Sequence, residues 1–136
     1  MRIKVGSELL AQDALVADAH AAPPSDLTAA EETTIQESKP INRGSRKLYN
    51  RQNASGKLSF TVRPRYTSLS GAAAAVLELA GRKGTTGTLS VWAHGVYVAN
   101  SNPQTTPTAS RTDAIIRRVE ARQIGVTVEV HYEIEW

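Results

Sequence analysis

The chain has 136 residues and 14.7 kDa, with 16 Lys and Arg against 13 Asp and Glu, a net charge of +3 and no cysteine. The lack of cysteine excludes disulfides and thiolate metal sites, and no apolar run approaches the ~18 residues of a membrane span, so a single domain with no membrane partner is expected. Much of the 40% hydrophobic fraction is alanine, with one Phe and one Met, so the core is expected to be modest, with subunit contacts adding to its stability.

Met1 to Val5 alternates Ile3 and Val5 with Arg2 and Lys4 and predicts a short first strand before Gly6. The segment has no apolar signal-peptide core, so a secreted chain is not expected. Ser7 to Ala22 places Leu9, Leu10, Ala14 and Ala17 at helical spacing, and Pro23-Pro24 would close such a helix. Residues 7–30 read equally as an extended arm, being acidic and poor in large apolar groups. From Glu8 through Glu37 there are seven acids and no Lys or Arg. Thr33, Thr34 and Ile35 predict a second short strand.

The 39–56 stretch mixes the turn formers Pro40, Asn42, Gly44, Asn50, Asn53 and Gly56 with bases, and reads as a long loop or hairpin. Seven bases, Arg43, Arg46, Lys47, Arg51, Lys57, Arg63 and Arg65, run to Arg65 with no acid between them. This block has three readings: a nucleic-acid footprint, a surface matching the acidic block of the same or a neighbouring subunit, or a solvated loop. Tyr49 and Tyr66 among these bases favour the first, in the manner of single-strand binders. Lys57 to Arg63 predicts a strand with Leu58, Phe60 and Val62 inward, stopping at Pro64 or lying at an edge. Phe60 is then a core residue and not a stacking platform.

Ser68 to Ala80 predicts the one helix, with Leu69, Ala72, Ala73, Val76, Leu77 and Ala80 as its apolar stripe, Ser68 or Ser70 as N-cap and Gly81 as the left-handed C-terminal residue. Thr88 to Ala93 alternates as a strand, and His94-Gly95 interrupts it before Val96-Tyr97-Val98, as in a hairpin or bulged strand. Residues 100–112 predict a long exposed loop. Ala114 to Arg122 predicts a strand with a charged face, and a break at Gln123-Ile124-Gly125 leads into the last strand. There Val126, Val128, Val130, Tyr132, Ile134 and Trp136 face in, and Thr127, Glu129, His131, Glu133 and Glu135 face out. Pairing the last two strands would bring Arg117, Arg118 and Arg122 near Glu129, Glu133 and Glu135.

No chemistry-bearing constellation emerges. His20, His94 and His131 fall in separate elements without ligand spacing, so no metal site is expected. The Gly81–Gly87 cluster leaves a helix and enters a strand, the reverse of a phosphate-binding loop. No GxSxG motif or anchored carboxylate pair is present, and no catalytic residue, cofactor or enzymatic activity is assigned.

A short first strand, an acidic arm, the Asn42-Arg43-Gly44-Ser45-Arg46 turn and a Phe-centred strand are followed by the helix Ser68-x-Ser70-x-Ala72-Ala73 and a hairpin from Gly125 to Tyr132. This order resembles the small tail structural proteins of long-tailed bacteriophages, in the group of tail-tube, distal-tail and tail-tip subunits. The resemblance implies an antiparallel β-sandwich or barrel flanked by one α-helix over about 68–80, with long loops or arms. It further implies a non-enzymatic virion component made in the bacterial host, forming a homo-oligomeric ring, hexameric or similar, beside other tail proteins. Glu31, Glu32, Arg43, Arg46, Lys47 and Arg51 are the expected interface residues. The alternative is a nucleic-acid-binding β-barrel using residues 43–65.

Overall fold

A computed structural model describes residues 1–12, 20–38, 48–93 and 107–136. The elements are β1 Arg2–Val5, β2 Glu8–Ala11, β3 Ser25–Ser38, β4 Leu48–Val62, α1 Leu69–Ala80, β5 Thr86–Trp92, β6 Ala109–Ile124 and β7 Thr127–Glu135. All seven strands join one sheet in the order β2-β1-β5-β6-β7-β4-β3, every neighbouring pair antiparallel. The protein is thus mainly β with one helix, as expected. Its sheet is continuous and curls: Glu31 of β3 reaches Arg111 of β6, three places away in strand order. The curl is possible because β6 serves two neighbours in turn, β5 along Ala109–Ile115 and β7 along Ile115–Ile124.

β7 anchors the core as its alternation predicts. Val128, Val130, Tyr132 and Ile134 are fully buried, and Phe60 lies opposite Tyr132 with ring centroids 5.4 Å apart, inside the aromatic-pair range. Ile3, Val5, Leu10, Leu79 and Ile116 complete this core from β1, β2, α1 and β6. In β6 the pairing runs Ile116 to Ile134 and then Arg118 to Glu133, leaving Arg117 as the extra residue of a bulge. The bulge shifts the alternation by one, so Ile116, Val119 and Ala121 all turn toward the core although their spacing breaks period 2.

Several expectations require correction. The 7–30 segment is neither a helix nor an arm at its described ends: Glu8–Ala11 pairs with β1, and Ser25–Ala30 already belongs to β3. Leu10 and Ala11 are buried, which gives the short strand an apolar reason to dock. The 33–35 strand is part of the 14-residue β3. Of the 39–56 loop, residues 48–56 are strand, because backbone pairing with β3 satisfies them without an alternating side-chain pattern. Of the 100–112 loop, residues 109–112 belong to β6. Residues 13–19, 39–47 and 94–106, including the 96–98 strand, lie outside the described residues.

The helix forms where expected, and Ser68 is its N-cap, its Oγ accepting from the Gly71 N–H at 3.0 Å. Its buried face is Ala72, Ala75 and Leu79 with Val76 at the margin, so the stripe is rotated from the expected one and Leu69, Ala73, Leu77 and Ala80 are exposed. Alanines against the sheet let the helix approach closely. Gly81 is right-handed (φ −67°), since turns continue past it, and the left-handed residue is Gly84 (φ +90°), whose N–H donates to the Ile116 carbonyl at 2.8 Å.

Candidate assembly surfaces

The β3–β4 pair is long because both strands outrun the rest of the sheet. β4 meets β7 only over Lys57–Val62, and Gly56 and Trp136 then exchange backbone hydrogen bonds at 3.1 Å each. Beyond that point Leu48–Ser55 has β3 as its sole strand partner among the described residues. Eight residues at ~3.4 Å each give a two-stranded ribbon of roughly 27 Å. Such a ribbon is marginal alone in water. Its base is closed by the Trp136 ring, which lies over Gly56 where a Cβ would otherwise stand.

The expected interface residues are distributed around this ribbon. Glu31 and Glu32 lie in β3 near its base, and Arg51 lies in β4 opposite Ile35. Arg43, Arg46 and Lys47 lie outside the described residues. Glu31 is joined to Arg111, and its hydrogen bond, then its charge, hold the guanidinium above its ordinary high pKa. Glu32 lies over a shallow depression shared with Gly56, Lys57, Glu135 and Trp136.

The solvent face of β4, β7 and β6 is a grid of alternating charge. Glu135 takes Arg117 at 3.0 Å and Lys57 at 3.9 Å, and Glu129 takes Arg63 and Arg122 at 3.1 Å each. The expected meeting of the β6 arginines with the β7 glutamates therefore occurs. Arg118, opposite Glu133, is bound by Glu120, whose hydrogen bond raises its pKa further. His131 meets Thr61 at 3.2 Å across the strands. These exposed pairs set register more than stability, each contributing about 0–1 kcal/mol. Lys57 and Arg63, two members of the basic block, are thereby committed to acids on the same chain.

Behind the grid, one polar knot ties three elements together. The Arg82 Nη1 donates to the Leu9 carbonyl at 3.0 Å and to the Tyr132 hydroxyl at 3.2 Å, and its Nε lies 3.5 Å from Glu8. Burial pushes the Tyr132 phenol above its ordinary pKa, opposed by the Arg82 charge. Its partners lie 73 and 50 residues away in the chain, so no local pattern marks Arg82 for this role. Arg82→Met is expected to destabilise the protein by about 2–4 kcal/mol, since it leaves a buried hydroxyl and a carbonyl without their donor. Urea unfolding followed by circular dichroism measures it, and a loss under ~0.5 kcal/mol would show that the knot carries little.

Among the described residues no group of His, Asp and Glu could hold a metal ion, and no helix is long and apolar enough to cross a membrane. His20 bonds Tyr66 at 2.9 Å and lies 3.4 Å from Glu78, pinning the approach to β3 onto α1. His131 is in the charge grid, and His94 lies outside the described residues. Comparison with known proteins finds no family model and no curated protein that matches the chain.

Proposed function

We propose that this protein is a non-enzymatic structural subunit that assembles with copies of itself into a ring in a phage tail or tail-like particle. The observation that carries the reading is the β3–β4 ribbon, a long two-stranded extension that no other strand among the described residues supports. A neighbouring subunit supplies the missing contacts, and a head-to-tail contact of this kind repeats until the rotation closes a ring. The order of elements that resembles phage tail proteins sets the biological context. Nucleic-acid binding is the weaker reading, because the basic block spends Lys57 and Arg63 on Glu135 and Glu129.

The test is sedimentation velocity and negative-stain imaging of the purified chain, beside a variant in which residues 34–53 are replaced by Asn-Gly. That loop joins Thr33 to Ala54, which already face each other, through a two-residue hairpin turn. The expected result is rings for the parent and a folded monomer for the variant. A parent that stays monomeric at high concentration and in low salt, and retards single-stranded DNA instead, would refute the assembly reading.

A further inference from the structure

The large apolar side chains left most exposed among the described residues fall into two groups. Leu69 (62% exposed), Leu77 (79%) and Ile124 (51%) lie on and beside α1, and Leu27 (43%) lies near the start of β3. The first three form one surface, because the Gln123 Nε2 donates to both the Leu69 and Gly125 carbonyls and so fixes the tip of the β6–β7 hairpin against the start of the helix. With Ala73 between Leu69 and Leu77 and Ala80 beyond, the outer side of α1 carries a second apolar stripe, beside Ser70 and Glu78, its one charge. An apolar stripe of this kind is what a helix presents to a packing partner.

The charges around these two surfaces are complementary. Arg65, bridged to Thr127 next to Ile124, stands at one end of the α1 surface, and Lys83 stands just past the other. Among the described residues neither has an ion-pair partner, nor do Asp26 and Glu32, which bracket the exposed run Leu27-Thr28-Ala29-Ala30 of β3. The helix and the strand run between these charges are also of similar length. Thirteen residues of helix from Ser68 to Gly81 span about 20 Å at ~1.5 Å each. Six residues of strand from Asp26 to Glu32 span about 20 Å at ~3.4 Å each. Among the described residues β3 is also an edge strand, with one side of its backbone unpaired by any other strand, and covering an edge with a helix is one of the ways proteins protect it.

We infer that the outer face of α1 in one copy packs over the β3 edge of the next copy, with Leu69 and Leu77 against Leu27 and the alanines, and with Arg65 and Lys83 at the Asp26 and Glu32 ends. The contact rests on the assembly reading above and identifies a partner surface for it. It joins two different patches, so each subunit offers one and receives the other.

Two pairs of exposed substitutions test it by sedimentation velocity, with circular dichroism confirming that each variant folds. Leu69→Glu with Leu77→Glu, and separately Arg65→Glu with Lys83→Glu, are expected to weaken self-association by roughly tenfold or more and shift the mass toward 14.7 kDa. Adding Asp26→Asn and Glu32→Arg to the base-to-acid variant is expected to restore the oligomer. Asn suits the positive φ of 54° at position 26. A parent-sized oligomer in both the Leu and the base variants would overturn this contact while leaving the assembly reading standing. Loss without restoration would overturn β3 as the partner surface. A monomeric parent would overturn both readings.

Discussion

Phe60→Ala is expected to destabilise the protein by about 3–5 kcal/mol, the usual range for emptying an aromatic site in a packed core. Phe60 is the only phenylalanine, is fully buried in β4, and faces Tyr132 of the neighbouring β7 at 5.4 Å between ring centroids. With typical domain stabilities of about 5–15 kcal/mol, the loss removes a large share of the whole. Phe60→Leu, which keeps most of the volume, is expected to cost clearly less, in the range of about 1–2 kcal/mol. Urea titration of both variants checks the pair. Equal midpoints for parent and Phe60→Ala would mean that the two rings do not form the packed centre described above.

Gly87→Ala is the second large effect, at roughly 2–5 kcal/mol. A Cβ on Gly87 would stand 2.6 Å from the Gly6 Cα and 2.8 Å from its nitrogen, so the turn after β1 would have to move away from β5. The Gly6 N–H donates to the Thr88 carbonyl at 3.0 Å, and that bond sets the close approach. Overpacking of this kind costs about 1–3 kcal/mol, and the φ of +154° adds about 1–2 kcal/mol for a residue with a side chain. Gly84→Ala is the control, because Gly84 also has positive φ (+90°) but nothing within 4 Å of its added Cβ. The difference in melting temperature between the two variants isolates the steric part. A Gly84→Ala variant as unstable as Gly87→Ala would assign the whole effect to backbone conformation.

What was legible in the sequence follows which elements bury one clear face. β7 alternates without interruption and lies where the alternation puts it, as does the inward set Leu58, Phe60 and Val62 of β4. The 25–30 part of β3 reads as an arm and the outer half of β4 as a loop or hairpin, because their residues are polar or turn-forming. They hold strand geometry through each other's backbone groups, and a backbone ladder leaves no side-chain period to read. In β6 a single bulge at Arg117 defeats the period-2 rule, and only the pairing with β7 reveals it. Of the expected interface set, Glu31 has a partner in β6 80 residues away, which no local pattern carries.

The sequence by itself determined the class of the protein: a β domain with one serine-capped helix, no cysteine chemistry, a terminal strand buried on one face, and arginine–glutamate pairing across the last hairpin. Those features depend on side-chain period, composition and short-range spacing, and each is set within about fifteen residues of chain. Tertiary structure alone decided which side of α1 is buried, since an alanine-rich helix with one charge allows either side to pack. It also decided how far β3 and β4 extend beyond the sheet, and that Arg82 joins Leu9 to Tyr132. These outcomes follow from contacts between distant segments, where burial and hydrogen bonding choose among alternatives that the local sequence leaves nearly equal in energy.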